Sequence, residues 1–243
     1  MSALAKYFHA MGKQVSGYDK VASDITEGLR DIGIDIHYED SLDSIPEKFK
    51  NKHHTLVVYT PAVSSNHLEL NFFIDNGFKV MKRAEVLGLI TKDTFCFAVA
   101  GTHGKTTTTA ILGHIMQPYN ATSFLGGVSE NYQSNLILGE DEISVVEADE
   151  FDRSFLKLSP NIACVTSTDA DHLDIYGEKT SLENSFQEFA DKVSNQLIVA
   201  KGCKLEGLTY AVEEDADYSI SNIKRKNGQY IFDIKTPHKI INE

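Results

Sequence analysis

Cysteine is scarce: Cys96, Cys164 and Cys203 are the only three in 243 residues, and no two have Cys-x-x-Cys spacing. That argues against a disulfide framework or a structural zinc site, and makes a reducing cytoplasm the expected compartment. Basic residues are in the minority, with 23 Lys plus Arg against 35 Asp plus Glu and a net charge of −12. A nucleic-acid groove needs a basic footprint, so nucleic acid is not an expected partner, although a loop can still hold a small anion locally. No apolar run approaches the ~20 residues of a membrane span, so no membrane partner is expected. The opening Met1-Ser2-Ala3-Leu4-Ala5-Lys6 lacks the basic-then-apolar layout of a secretory signal. Repeats and low-complexity linkers are also missing. What is present is an ordinary globular mix, 42% hydrophobic and 24% charged, in a chain long enough to bury a core.

The pattern alternates strand and helix. Apolar spacing predicts helices over 2–11, 26–32, 67–76 and 83–90. Short apolar runs predict strands at 14–19, 34–38, 55–59 and 78–81. The strongest strand is Thr94-Phe95-Cys96-Phe97-Ala98-Val99-Ala100, followed by strands at 143–147, 161–166 and 196–200. Strands separated by helices imply an α/β fold with a mostly parallel sheet covered on both faces. From about Tyr218 the character changes, and Asn227-Gly228 predicts a small antiparallel excursion. A fresh strand-loop-helix unit begins after Leu89 to Asp93, giving expected domains of 1–91 and 92–243.

The strongest chemical signal follows the strongest strand. Gly101-Thr102-His103-Gly104-Lys105-Thr106-Thr107-Thr108 leads into an apolar helical stretch. Glycines let backbone N–H groups converge on one anion, and a helix N-terminus adds its positive dipole. Lys105 would reach the terminal phosphates and Thr106 would offer a hydroxyl to Mg²⁺. Val99 occupies the place of the usual first glycine, so this is a shortened phosphate loop. An ordinary turn with a surface lysine explains it less well, because four successive threonines are poor helix formers and suit hydroxyl chemistry. Spacing alone gives His103 no role.

Two later strand ends supply acids. Glu147-Ala148-Asp149-Glu150-Phe151-Asp152 carries four carboxylates just after a buried strand, and Asp169, Asp171, His172 and Asp174 follow the next. Ligands collect at the carboxyl ends of strands in open α/β sheets, so both segments are candidates to hold Mg²⁺ or Mn²⁺ beside the phosphate loop. A solvated acidic turn and a loop histidine are the plainer alternatives. Asp19 is either a turn residue or an acceptor for a ribose hydroxyl. Gly126-Gly127 either lets a ligand approach the backbone or makes a turn. Phe124, Phe151 and Phe155 read as packing residues, and His53-His54 as an exposed loop pair.

Together, the loop from Gly101, the run Glu147 to Leu156 and the run Asp169 to Gly177 resemble the Mur ligase family. Gly17-Tyr18-Asp19, Thr60-Pro61-Ala62-Val63 and Lys82 to Gly88 resemble its N-terminal part more weakly. The resemblance implies a Rossmann-like nucleotide-sugar domain, its first strand and Gly-rich loop lying before Met1, then an ATP-binding central domain. It further implies a segment of a ligase roughly twice this length, at ~100–200 residues per domain, inactive by itself. The implied reaction joins L-alanine to UDP-N-acetylmuramate in peptidoglycan synthesis through an acyl phosphate, using ATP and Mg²⁺. A tripeptide-recycling ligase and a non-catalytic nucleotide-binding module are the alternatives. The resemblance implies ATP binding by Gly101, Thr102, His103, Gly104, Lys105, Thr106 and Thr107. Metal would be held by Thr106, Glu147 and His172, with Lys105, Glu147 and His172 catalytic. Asp19, Thr60, Ala62, Asp149, Glu150 and Ser154 would contact substrate.

Overall fold

The structure, a computed structural model, describes residues 1–169 and 179–242. His172, Asp171 and Asp174 therefore lie outside the described residues. The chain opens with α1 (Ser2–Ala10), β1 (Ser16–Tyr18), α2 (Asp24–Asp31) and β2 (Asp35–His37). It continues with β3 (Leu56–Tyr59), α3 (Leu68–Asp75), β4 (Lys79–Lys82) and α4 (Arg83–Asp93). Here β1 pairs with β2 and β3 with β4, both in parallel, as two separate two-stranded sheets. α2 starts two residues before the expected Thr26 because Ser23 and Thr26 form a capping box. The Thr26 N–H donates to the Ser23 hydroxyl at 3.3 Å, and the Ser23 N–H donates to the Thr26 hydroxyl at 2.8 Å.

Next come β5 (Phe95–Ala100), α5 (Lys105–Met116), β6 (Ala121–Ser129), β7 (Ser134–Ile137), β8 (Glu140–Glu147) and β9 (Ile162–Val165). After them lie α6 (Lys179–Ala190), β10 (Gln196–Ala200), β11 (Leu208–Val212), β12 (Tyr218–Lys226), β13 (Gln229–Lys235) and β14 (Ile240–Ile241). These form a ten-stranded sheet of order β14-β13-β12-β11-β10-β9-β5-β8-β6-β7. The strands from β12 through β6 pair in parallel, and β7, β13 and β14 join antiparallel at the two edges. The β12–β13 hairpin turns on Asn227 (φ 52°) and Gly228 (φ 78°), the double positive φ expected of that pair.

The sheet interior explains the placing of the site. β5 lies between β8 and β9, in register Val99↔Glu147 and Ala100↔Val165. Cys96, Ala98, Val99, Ala100, Val145, Val146 and Val165 are buried, as a central strand covered on both faces requires. Beneath, Phe155 stacks on Phe189 from α6 (centroids 4.9 Å, interplanar angle 6°) and meets Phe186 edge-on at 5.5 Å. One core cluster joins these rings to Ala3 and Leu4 of α1, Val86 and Leu87 of α4, and Phe124 and Leu136 of β6 and β7. Phe124 and Phe155 thus pack as expected. Phe151 does not: at 48% exposure it lies on the surface, at the start of a tight 3-10 turn.

β6 and β7 were not expected from the sequence pattern. Ala121-Thr122-Ser123 carries little apolar alternation, yet all three residues are buried, because β6 is covered on both sides.

Candidate active site

The site stands at the carboxyl ends of β5, β8 and β9, beside Gly126 of β6. β5 ends at Ala100, and the chain must reverse into α5 within four residues. Gly101 (φ 130°) and Gly104 (φ 78°) accept backbone angles that side chains resist. At Gly101 a Cβ would also collide with the Thr166 hydroxyl and the Ser167 backbone. The loop lies directly on the segment after β9. The Thr102 N–H donates to the Ser167 carbonyl at 3.2 Å, and the His103 N–H donates to the Ser167 hydroxyl at 2.9 Å. The hydroxyls of Thr102 and Ser167 are 2.8 Å apart, and the Thr166 hydroxyl donates to the carbonyls of Ala100, at 3.0 Å, and His103.

Lys105 opens α5, and its ammonium turns back across the loop. It donates to the Gly101 carbonyl at 2.7 Å and meets the Glu150 carboxylate at 2.8 and 3.0 Å. Thr106 donates its hydroxyl to Glu147 Oε1 at 3.0 Å, while the Gly126 N–H donates to Glu147 Oε2 at 2.9 Å. A Cβ on Gly126 would occupy the place of that carboxylate. Gly126 is thus a strand residue of β6 whose missing side chain makes room for Glu147. Thr109, wholly buried in the helix, satisfies its hydroxyl by donating to the Lys105 carbonyl one turn back at 2.8 Å.

Thr102, Gly104, Lys105, Thr106, Thr107, Glu147 and Asp149 line an open pocket of about 440 Å³. Its wall offers backbone N–H groups, a helix N-terminus and one ammonium, suiting an anion of several phosphates. Thr106 and Glu147 present neighbouring oxygens, the donor type that Mg²⁺ takes when phosphate and water complete its shell. Among the described residues, no group of three or more His, Cys, Asp or Glu is arranged to hold a metal unaided. The oxygens of Thr106 and Glu147 thus fit an ion whose remaining ligands are phosphate and water.

The remaining expected residues divide. His103 is exposed, with Nε2 at 4.0 Å from Asp169. Glu150, expected beside substrate, is 1% exposed and meets Lys105 instead of open solvent. Ser154 is half-buried in the turn Phe151–Lys157 and does not line the pocket. Asp19, Thr60 and Ala62 follow β1 and β3, away from the pocket lining, and Asp19 accepts a turn hydrogen bond from the Val21 N–H at 3.3 Å. Sequence pattern alone does not point to Ser167 as a loop clamp or to Gly126 as a carboxylate seat. Ser167 had one signal, a hydroxyl residue at the end of a strand next to the loop strand.

Residues 1–94 match the Mur ligase family, catalytic domain, and residues 99–242 match the Mur ligase middle domain. The chain belongs to the Mur ligase family. It is 56% identical to a UDP-N-acetylmuramate–L-alanine ligase of Flavobacterium psychrophilum, over 100% of this chain and 55% of that protein. With the enzyme of the same name from Parabacteroides distasonis it shares 49% identity over 98% of this chain and 54% of the other. Among solved structures it resembles the UDP-N-acetylmuramate-alanine ligase of Thermotoga maritima (TM-score 0.84, 26% identity, covering 98% of this chain and 56% of that one). A UDP-N-acetylmuramate:L-alanyl-gamma-D-glutamyl-meso-diaminopimelate ligase from Neisseria meningitides shares the fold at TM-score 0.81 and 21% identity, over 99% of this chain and 82% of that one. This Mur ligase chain spans about half the length of the curated relatives it matches.

Proposed function

We propose that this chain carries the nucleotide-binding half of an ATP-dependent ligase joining L-alanine to UDP-N-acetylmuramate. The observation that carries the reading is the convergence of Lys105, Thr106 and Glu147 on one phosphate-sized pocket. Its likeness to L-alanine ligases across the whole chain supports the substrates. In this reading 92–243 binds ATP, and 1–91 binds the nucleotide sugar through Asp19, Thr60 and Ala62. The loop from Gly101 to Thr107 wraps the β- and γ-phosphates, which are bound by the N–H groups at the start of α5 and the Lys105 ammonium, while the Thr102 and His103 N–H groups hold the loop to Ser167. Thr106 and Glu147 hold Mg²⁺, which when bound screens phosphate charge. His172 is assigned to a second ion on the resemblance alone. Asp149, on the pocket wall, is assigned with Glu150 and Ser154 to the substrate side on the resemblance alone.

The reaction brings a carboxylate to a polyphosphate, so fixed positive charge and close placement supply most of the rate. The carboxylate of UDP-N-acetylmuramate takes the γ-phosphoryl group and ADP leaves. The alanine amine then displaces phosphate, forming the amide. No enzyme nucleophile is needed, and Cys96 is wholly buried. The proposed setting is the cytoplasm, the reducing compartment that suits three free cysteines. No helix among the described residues is long and apolar enough to cross a membrane.

The test is nucleotide binding by this chain, and ligation by a chain of the relatives' full length that contains it. Lys105→Ala should remove ATP binding at millimolar concentrations and lower ligation by several orders of magnitude. Unchanged ATP affinity in that variant would remove the phosphate loop from the reading.

A further inference from the structure

The ion pair between Lys105 and Glu150 is unlike the usual furniture of a phosphate loop, because its acid is buried. Glu150 is 1% exposed and Lys105 13%, and both carboxylate oxygens lie within 3.0 Å of the ammonium. A carboxylate so deeply buried is costly to hold unless its partner stays in place. Lys105 is also the first residue of α5, where the helix dipole and the loop N–H groups already make the surroundings positive. A lone ammonium there would be repelled toward solvent. The Gly101 carbonyl at 2.7 Å is too weak a partner to offset that by itself.

The backbone around Glu150 is bent to put it there. Asp152 (φ 51°) and Arg153 (φ 54°) are consecutive left-handed non-glycine residues, a conformation that must be held by its surroundings. The holding contacts are visible. Asp152 pairs with Lys82 at 3.6 Å, and Arg153 meets both oxygens of Glu188 on α6 at 2.6 Å. The Arg153 N–H donates to the Glu150 carbonyl at 2.9 Å, and the Phe155 N–H to the Asp149 carbonyl at 2.9 Å. Phe155, wholly buried against Phe186 and Phe189, anchors the turn from below.

We propose that Glu150 is a positioning residue, which holds the Lys105 ammonium against the Gly101 carbonyl so that the nucleotide meets a cation already fixed in place. An ammonium has three donors. One goes to Gly101 and one to Glu150, and the third is left for a phosphate oxygen. The entropy of a long flexible side chain is then lost in folding instead of binding. The inference rests on the proposal that the loop binds ATP.

The experiment is titration of the chain with a fluorescent ATP analogue in excess Mg²⁺. The wild type is compared with Lys105→Met, Glu150→Gln and the double variant, each first checked by thermal unfolding. Saturable binding by the wild type that Lys105→Met weakens establishes the loop; its absence overturns the nucleotide reading, and the inference with it. Given that binding, Glu150→Gln should weaken affinity about tenfold, with no further loss on adding it to Lys105→Met, as expected of residues acting as one unit. Affinity equal to or tighter than wild type in Glu150→Gln would overturn positioning and mark the pair as an obstacle that nucleotide must break. A loss undiminished in the Lys105→Met background would also overturn it, as an effect that does not pass through the lysine. Should Glu150→Gln fail to fold, Glu150→Asp decides by the same criterion, since it keeps the charge but withdraws it from contact.

Discussion

The Thr106 hydroxyl and the Glu147 carboxylate, residues from the first turn of α5 and the last position of β8, are in hydrogen-bond contact at 3.0 Å. Adjacent parallel strands produce this contact. Val99 is in register with Glu147, so the two chain ends leave the sheet side by side. Glu147→Gln keeps the shape and removes the charge. It should raise the Mg²⁺ concentration needed for half-maximal ATP binding by about tenfold or more, because a neutral amide is a weak ligand for a hard dication. Isothermal titration with Mg²⁺ at fixed ATP measures this, and an unmoved metal midpoint would place Glu147 outside the metal shell.

Gly126→Ala tests the same carboxylate from the opposite side. Its new methyl would occupy the space of the Glu147 oxygens. The carboxylate must rotate away and lose the 2.9 Å bond from the Gly126 N–H. Metal-dependent nucleotide binding should fall as far as in Glu147→Gln, while the unfolding midpoint drops by no more than overpacking of about 1–3 kcal/mol allows. Full metal affinity in this variant would show that the carboxylate has room to spare.

Ser167 reaches no pocket surface, yet its hydroxyl and carbonyl meet Thr102 and His103. Ser167→Ala removes the hydroxyl contacts and should cost about 0.5–1.5 kcal/mol, because water can reach the exposed His103 N–H. The same change should weaken ATP binding several-fold without touching the nucleotide. Hydrogen exchange of the loop amides, faster in the variant, is the accompanying measurement.

Burial pushes the Cys96 thiol up to about 12 and the Cys164 thiol up to about 11, from an ordinary 9.0. The folded chain should therefore resist iodoacetamide at both positions at about pH 8, and react there only after unfolding. Stability follows the same sign. Up to about pH 8 the thiols are mostly protonated in both states and contribute little pH dependence. Above it the unfolded chain releases the protons first, so stability falls as pH rises toward about 11 for Cys164 and about 12 for Cys96. Substituting both cysteines with alanine should make the alkaline limb of a urea-unfolding profile shallower, leaving the part due to Tyr210, whose hydroxyl is pushed up to about 12 by burial.

Much of this architecture is legible in the amino-acid sequence, for physical reasons that differ by element. β5 announces itself because a central parallel strand is apolar at nearly every position, and the loop after it because glycine and lysine have few other reasons to stand in that order. β6 is hidden by the same logic. Its Thr122 and Ser123 are buried polar residues, and the Thr122 hydroxyl finds its partner in distant chain, donating to the Glu140 carbonyl at 3.1 Å. Glu150 is the instructive case. A glutamate among four acids after a strand reads as solvent-facing or ligand-facing. Only the left-handed turn at Asp152 and Arg153 turns it inward, and no local pattern in the sequence encodes that turn.

The two segments that match the family separately do not pack separately. Ala3 and Leu4, at 5% and 4% exposure, lie in the same apolar cluster as Phe124, Leu136 and Phe155. The Lys6 ammonium reaches the Ser134 hydroxyl at 3.2 Å, and the Asn135 amide donates to the Ser2 hydroxyl at 2.9 Å. Cutting the chain between 94 and 99 would divide its text but not its interior, and each piece would carry away half of a shared apolar seam. Changes in the two halves are coupled along this whole seam, at α1 and equally at α4, whose Val86 and Leu87 share the cluster with Phe155.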